Sequence, residues 1–324
     1  MRVFLTGSGG RLARALLPRL LEDARIQRVV GIDLRPCDRT HPKLEQHLRD
    51  IRDPDIGALM HGCDALIHAA FVVVGSHLGW NRRRRNWVRS VNLKGSQNVF
   101  EQAASGGIAN LVHLSSVAVY SGLRDTGRPI DEHRDLAPLS GFPYAEDKVA
   151  VERWLDGFET RHPGLRLVRL RPHVILGAQA QPLLRQMLSQ PFCPRRRGVS
   201  AKTQCVWEED VVGAIELALF SPARGPFNLA TAPALSLCDM IRFRGMRPIP
   251  VPVWSIGLVH RLIWWITTRA GDPGWTRGLG KALVVDARRA ADVLGWEPAY
   301  SVYDCLRSLS DRRPPDGATP PRSD

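Results

Sequence analysis

The sequence predicts an α/β fold, a doubly wound parallel sheet with a smaller C-terminal lobe, and three observations predict it. A short apolar run, Arg2-Val3-Phe4-Leu5-Thr6, leads directly into glycines and then into helix-spaced leucines. Strand-like and helix-like stretches alternate from there to about residue 232, the order that crossover helices on a parallel sheet impose. At 324 residues the chain can bury one large core or two unequal lobes. The larger unit is expected over 1–176 and 204–232, and the smaller, substrate-binding one over 177–203 and 233–310. The tail, 311–324, is rich in proline and arginine and is expected to be disordered.

The first strand is apolar throughout, as a buried parallel strand is. Gly7, Gly9 and Gly10 form the turn, and Leu12, Ala13, Leu16, Leu17 and Leu20 mark the helix. A strand, glycine turn and helix in that order aim backbone N–H groups at a pyrophosphate. Gly7, Gly9, Gly10, Arg11 and Leu12 are therefore the expected dinucleotide contacts. Ala13, in the third position of G-x-x-G-x-x-A, permits close helix–strand packing. The second strand, residues 28–33, ends in Asp33, whose carboxylate suits an adenine ribose and repels a 2′-phosphate. NAD is favoured; Arg11 and Arg35 nearby leave NADP open.

Tyr144 and Lys148 form a Y-x-x-x-K pair, with Ser116 lying 28 residues before the tyrosine. Residues four apart share a helix face. A free phenol titrates near pH ~10, and a neighbouring ammonium favours the phenolate. Ser116 can hold a substrate oxygen beside the phenol while a nicotinamide moves the hydride.

These residues belong to a longer ordered series. Asp50-Ile51-Arg52-Asp53, Leu66-Ile67-His68-Ala69-Ala70, Val91-Asn92-Leu93-Lys94-Gly95-Ser96 and Ser115-Ser116-Val117-Ala118-Val119-Tyr120 precede the Tyr–Lys pair. Leu170-Arg171-Pro172, Glu209-Asp210-Val211 and Leu294-Gly295-Trp296-Glu297-Pro298 follow it. The series resembles the extended short-chain dehydrogenase/reductase group, the NAD-dependent epimerase/dehydratase superfamily, from residue 2 to about residue 232. The resemblance implies a Rossmann-type sheet and the catalytic set Ser116, Tyr144 and Lys148. It also implies a cofactor surface that adds Asp50, Ile51, His68, Ala69, Ala70 and Asn92 to the turn residues, with Tyr144 and Lys148 touching the cofactor too. Asn92 either braces its helix or joins the proton relay. Ser115 reads as structural, and His68 is given no chemistry of its own.

The substrate is less determined. Nucleotide-sugar epimerases of the group carry an Asn where this chain has Val174, an Arg where it has Thr203, and a His where it has Trp207. The apolar, aromatic stretch 249–268 resembles that of relatives acting on hydrophobic substrates, such as 3β-hydroxysteroid-type enzymes. The leading expectation is an NAD(P)-dependent oxidoreductase interconverting a secondary alcohol and a ketone. A nucleotide-sugar epimerase or dehydratase and a non-catalytic NAD(P)-binding regulatory protein are the alternatives.

The net charge of +13 raises a nucleic-acid partner. Only Lys43, Lys94, Lys148, Lys202 and Lys281 among the 45 basic residues are lysine, however, and no binding motif accompanies Arg82–Arg85 or Arg195–Arg197. Those runs read as solvated faces, and no nucleic-acid partner is expected. His260 and Arg261 interrupt the 249–268 stretch, so it reads as a core or lid helix, with a bilayer-surface helix the minor reading. Six scattered cysteines show no metal or C-x-x-C spacing. The expectation is reduced thiols, no metal, a cytoplasmic protein with a small-molecule substrate and, by resemblance, a homodimer.

Overall fold

The computed structural model describes residues 1–73, 82–178, 191–195, 201–252, 255, 258, 273–279 and 281–309. Its strands are β1 (Arg2–Thr6), β2 (Arg28–Asp33), β3 (Leu44–Leu48), β4 (Ala65–His68), β5 (Asn110–Leu114) and β6 (Arg166–Pro172). Short strands follow: β7 (Val174–Leu176), β8 (Phe192–Arg195), β9 (Lys202–Thr203) and β10 (Cys205–Trp207). Then come β11 (Gly225–Leu229), β12 (Leu235–Ser236) and β13 (Ile249–Pro252). The helices are α1 (Arg11–Glu22), α2 (Ile56–Leu59), α3 (Arg82–Arg89), α4 (Ser96–Ser105), α5 (Pro143–Arg161) and α6 (Glu208–Phe220). The last three are α7 (Leu237–Phe243), α8 (Pro273–Leu279) and α9 (Val302–Arg307).

Seven strands form the main sheet in the order β11-β6-β5-β4-β1-β2-β3, all parallel. The expected doubly wound α/β sheet is therefore present, and β2 has the bounds read from the sequence. Chain order reverses between β1 and β4, which opens a crevice beyond their C-terminal ends. Both faces are covered: Val3 and Leu5 pack with Leu16, Leu17, Leu20 and Ile215 on one side. Phe4 packs with Val99, Phe100, Leu155 and Phe158 on the other. This explains why β1 reads as a continuous apolar run instead of an alternating one.

One strand breaks that rule. β6 is buried along its whole length yet carries Arg166, Arg169 and Arg171. Arg166 donates to the carbonyls of Ala218 and Leu219 at 2.6 and 3.1 Å, at the C-terminal end of α6, where a cation is favoured. Arg169 pairs with Asp156 at 2.6 Å and with Glu159. Arg171 grips the fully buried Glu152 with two N–H groups, at 2.8 and 2.5 Å. The Arg169 and Arg171 pairs fasten α5 to the sheet, and the Arg166 contacts fasten α6.

Farther on, Asp210 accepts from the Ala299 and Tyr300 amides at 2.8 and 3.3 Å, and its carbonyl accepts from Trp296 Nε1 at 2.8 Å. Gly295 has φ +66° and ends its helical turn as the sequence suggests. Small paired strands join β7 to β10, β9 to β12 and β8 to β13.

Several expectations need amendment. Cys238 is disulfide-bonded, whereas Cys37, Cys63, Cys205 and Cys305 are free, so the thiols are not all reduced; no sequence spacing signals the bond. Residues 249–252 of the apolar stretch form a strand, not a helix. Most of the stretch lies outside the described residues, as do Arg196, Arg197 and the tail. Among the described residues no helix is long and apolar enough to cross a membrane, and no group of His, Cys, Asp or Glu could hold a metal.

Replacing Glu152 with Gln should lower unfolding stability by ~3–5 kcal/mol, because it leaves a buried guanidinium without its counter-charge. Urea unfolding at pH 7 measures it; a change under ~1 kcal/mol would mean that the pair does not fasten α5.

Candidate active site

Gly7 sits at φ +80°, and a Cβ there would lie 2.8 Å from the Ala70 amide nitrogen. The turn after β1 therefore touches the loop after β4, and only glycine permits it. A Cβ on Gly9 would lie 2.5 Å from the Arg35 carbonyl oxygen. Asp33 accepts from the amides of Gly9 and Arg35, at 3.1 and 3.0 Å, which fixes its carboxylate at the turn. α1 begins at Arg11 with no side-chain cap and no acidic residue in its first turn, so its positive end suits an anion. A glycine cradle, a helix terminus suited to an anion and a fixed acidic acceptor fit a dinucleotide: pyrophosphate over Gly9 to Leu12, ribose at Asp33.

Ala69 and Ala70, both partly exposed, continue this surface, their amides tied to the Thr6 carbonyl and hydroxyl at 3.2 Å each. Asp50 gives both carboxylate oxygens to Arg52, at 3.0 and 2.6 Å, and that pairing holds its pKa below the usual carboxylate range. Ile51 is largely buried in the core.

Two of the residues expected on the cofactor surface are fully buried and make bracing hydrogen bonds. His68 is fully buried, with Nδ1 2.7 Å from Thr6 Oγ1 and Nε2 2.8 Å from Ser96 Oγ. The Ser96 hydroxyl donates its one proton to the Asn92 carbonyl at 2.5 Å. It must therefore accept from His68, which fixes the Nε2–H tautomer and makes Nδ1 the acceptor of the Thr6 proton. Burial drives the His68 pKa down to about 3, so the ring is neutral. Asn92, also fully buried, accepts from the Val72 amide at 2.8 Å and donates to the Val72 carbonyl and to Asp147, each at 3.1 Å. Of its two readings from sequence, the brace is the one this geometry fits.

The three candidate catalytic residues converge at the end of β5 and the start of α5. Ser116 caps the 3-10 turn Val117–Tyr120, its hydroxyl accepting from the Ala118 amide at 3.1 Å. Burial pushes the Tyr144 phenol above its ordinary value, and the nearby Ser116 hydroxyl opposes that rise only in part. Lys148 is 3% exposed. Its ammonium donates to the Leu114 carbonyl at 2.6 Å and lies 3.8 Å above the Phe71 ring. Burial lowers its pKa to about 7, against the raising influence of Glu152 and Asp147. Burial thus opposes the ammonium whose charge was expected to favour the phenolate. Ser115, next to Ser116, donates to Glu152 at 2.5 Å and is structural.

Sequence reading missed what surrounds this set. The Tyr144 ring is flanked by Phe71, Phe142 and Trp275, with centroids 5.5, 5.7 and 5.2 Å away. Asp147, 3% exposed at its side chain, takes Arg89 at 3.1 Å as well as Asn92, and Arg85 pairs with Glu146 at 2.6 Å. Part of the arginine run therefore clamps α5 instead of being merely solvated. Acidic residues at 146 and 147, inside the Y-x-x-x-K motif, were the available signal.

The family model described as "NAD dependent epimerase/dehydratase family" matches residues 3–228. An uncharacterised protein of Mycobacterium tuberculosis is 26% identical over 316 residues, covering 94% of this chain and 82% of that protein. A 4-hydroxy-2-methyl-3-oxo-4-farnesyl-3,4-dihydroquinoline-1-oxide ketoreductase of Stigmatella aurantiaca is 29% identical over 240 residues, covering 70% and 66%. Among solved structures, UDP-glucuronic acid 4-epimerase of Bacillus cereus in complex with NAD superposes with a TM-score of 0.73 at 18% identity, covering 95% of this chain and 97% of that one. That likeness is one of fold.

The His68 tautomer chain carries a pH signature. Its folded pKa of about 3 lies below the unfolded value of ~6.5. The unfolded state binds the extra proton between those values, so stability should fall as pH drops through ~6.5 toward 3. In His68→Gln that acid-side slope should be shallower by one proton's worth in denaturant titrations between pH 4 and 6; an unchanged slope would show that His68 is not held neutral.

Proposed function

The chain belongs to the NAD dependent epimerase/dehydratase family, and from that premise we propose that it is an NAD(P)-dependent oxidoreductase interconverting a secondary alcohol and a ketone on a hydrophobic substrate. NAD is the family's cofactor, and the glycine cradle, the α1 terminus and Asp33 fit it. The observation that carries the reading is the approach of Ser116 to the Tyr144 phenol, with Lys148 buried one helical turn beyond.

When bound, the cofactor supplies or takes the hydride. Tyr144, with its pKa raised, is protonated at neutral pH, so it acts as general acid toward a carbonyl oxygen during reduction and as base in reverse. Ser116 shares that oxygen and holds it in line with the phenol. Lys148 would hold the nicotinamide ribose. In the reductive direction the ketone gains a hydride at carbon and the Tyr144 proton at oxygen, and solvent restores the phenol.

The surface beside Tyr144 is largely apolar. Val72, Val73, Val88, Pro143 and Trp275 line it, while its two polar members, Asn92 and Asp147, are already engaged with each other. An apolar surface next to the phenol supports a hydrophobic, 3β-hydroxysteroid-like substrate over a sugar, which it gives little to bond. The Stigmatella relative is named for a ketone on a farnesylated bicyclic ring, which agrees with that class. For a nucleotide diphosphate, Val174, Thr203 and Trp207 offer neither cation nor amide, and the Trp207 indole stacks on Tyr300 at 4.9 Å.

Purified protein with NADH and a panel of cyclic hydrophobic ketones and UDP-sugars should consume NADH with a ketone. Tyr144→Phe should cut kcat by ~10²–10⁴ and leave NADH affinity within about twofold. Retained turnover in the variant, or an altered UDP-sugar without net NADH change, would overturn the proposal.

A further inference from the structure

The segment that follows β4 is fastened on both sides of one residue. The Ala70 amide donates to Thr6 Oγ1 at 3.2 Å. Val72 is held by the buried Asn92, its amide donating at 2.8 Å and its carbonyl accepting at 3.1 Å. Asn92 in turn donates to Asp147 on α5 at 3.1 Å. Phe71, half-buried, lies between these fastenings. The Lys148 ammonium stands 3.8 Å from the centre of its ring. The same ring meets the Tyr144 ring edge-on, with centroids 5.5 Å apart and planes at 85°. Phe71 thus touches both members of the Y-x-x-x-K pair from a different element of the fold.

The ammonium sits in surroundings that make such a contact matter. It is held from water and donates to the Leu114 carbonyl at 2.6 Å. The charged or titratable groups around it are Glu152, Asp147 and Tyr144 on α5, His68 on β4 and His113 on β5. Burial leaves both imidazoles neutral and keeps the phenol protonated. The two carboxylates are each paired, Glu152 with Arg171 of β6 and Asp147 with Arg89 of α3. A ring face attracts a cation most strongly where water is excluded. The carbonyl and the ring together direct two of the three ammonium N–H groups, so the amine is aimed as well as charged.

We propose that Phe71 is a positioning residue of this site, whose ring face holds the Lys148 ammonium charged and in place beside Tyr144. The proposal rests on the oxidoreductase reading for what Lys148 does. The contact itself needs neither cofactor nor turnover.

The test titrates Lys148 directly in the full chain. The chain has five lysines; labelled with carbon-13 at Cε, each gives one resonance, and Lys148→Arg assigns the one at issue. Titration compares the wild type, the chain carrying 3,4,5-trifluorophenylalanine in place of Phe71, and Phe71→Leu. Fluorination keeps the ring's shape, and so the burial of the amine, but withdraws the negative charge of its face. The Lys148 midpoint should fall by about half a pH unit or more in the fluorinated chain, and at least as far in Phe71→Leu. The other four lysines and the melting temperature of the fluorinated chain should match the wild type. The alkaline limb of NADH-dependent ketone reduction should move to lower pH with the Lys148 midpoint. A midpoint that fluorination leaves unmoved, or raises, overturns the assignment, as does an unmoved limb in an active enzyme. No NADH consumption by the wild type, with the fluorine-dependent shift present, would support the hold of Phe71 on the ammonium and count against the oxidoreductase reading alone.

Discussion

The ion pair between Glu152 and Arg171 is the contact on which the rest of the site depends. Glu152 is fully buried on the inner face of α5, and its two oxygens take the Arg171 guanidinium and the Ser115 hydroxyl. Helix, strand β6 and the end of strand β5 are thereby locked at one point. Ser115 is the neighbour of Ser116, and Glu152 lies one turn beyond Lys148, so the lock sets both halves of the candidate catalytic set. The Arg171 guanidinium also reaches the Tyr120 hydroxyl, which carries the network to the turn that Ser116 caps. A buried pair seldom gains net stability over a good apolar core; what it provides here is a single allowed position for α5.

Lys148 shows what that position costs. An amine held away from water, against a ring face and one carbonyl, loses charge readily, and its pKa falls to about 7. The anions that oppose the fall, Glu152 and Asp147, are each committed to an arginine. The site therefore holds its lysine where burial works against its charge and two carboxylates work for it.

Much of this was legible in the sequence, for identifiable reasons. β1, the glycine turn and β2 are local: apolar runs, glycines and a terminal Asp33 declare themselves within a few residues, and Asp33 does sit at the turn. Ser116, Tyr144 and Lys148 were legible as a spaced motif, and they do meet. Their energetics were not legible, because the balance between burial and a neighbouring charge needs the depth of each group. The buried bracing bonds of His68 and Asn92, both expected on the cofactor surface, were not legible for a related reason. A strand-end histidine and a helix asparagine look alike in sequence whether they face a ligand or brace a turn. Trp275 and Phe142 are far apart in sequence and meet only when α8 docks, so no local pattern could pair them.

The wide turn Ser90–Gly95 between α3 and α4 has a consequence for how the chain divides its labour. Each residue of a regular helix advances about 100° around the axis, so helices joined without interruption would show the same side to the same neighbour. The wider winding of a π turn resets that phase. α3 can then point Arg85 and Arg89 toward the carboxylates of α5, while α4 buries Val99, Phe100 and Ala103 in the core beneath the sheet. One unbroken rod of chain thereby serves as an electrostatic clasp at one end and an apolar wedge at the other. The change of phase falls at Asn92, the residue that fastens the rod to Val72 and Asp147.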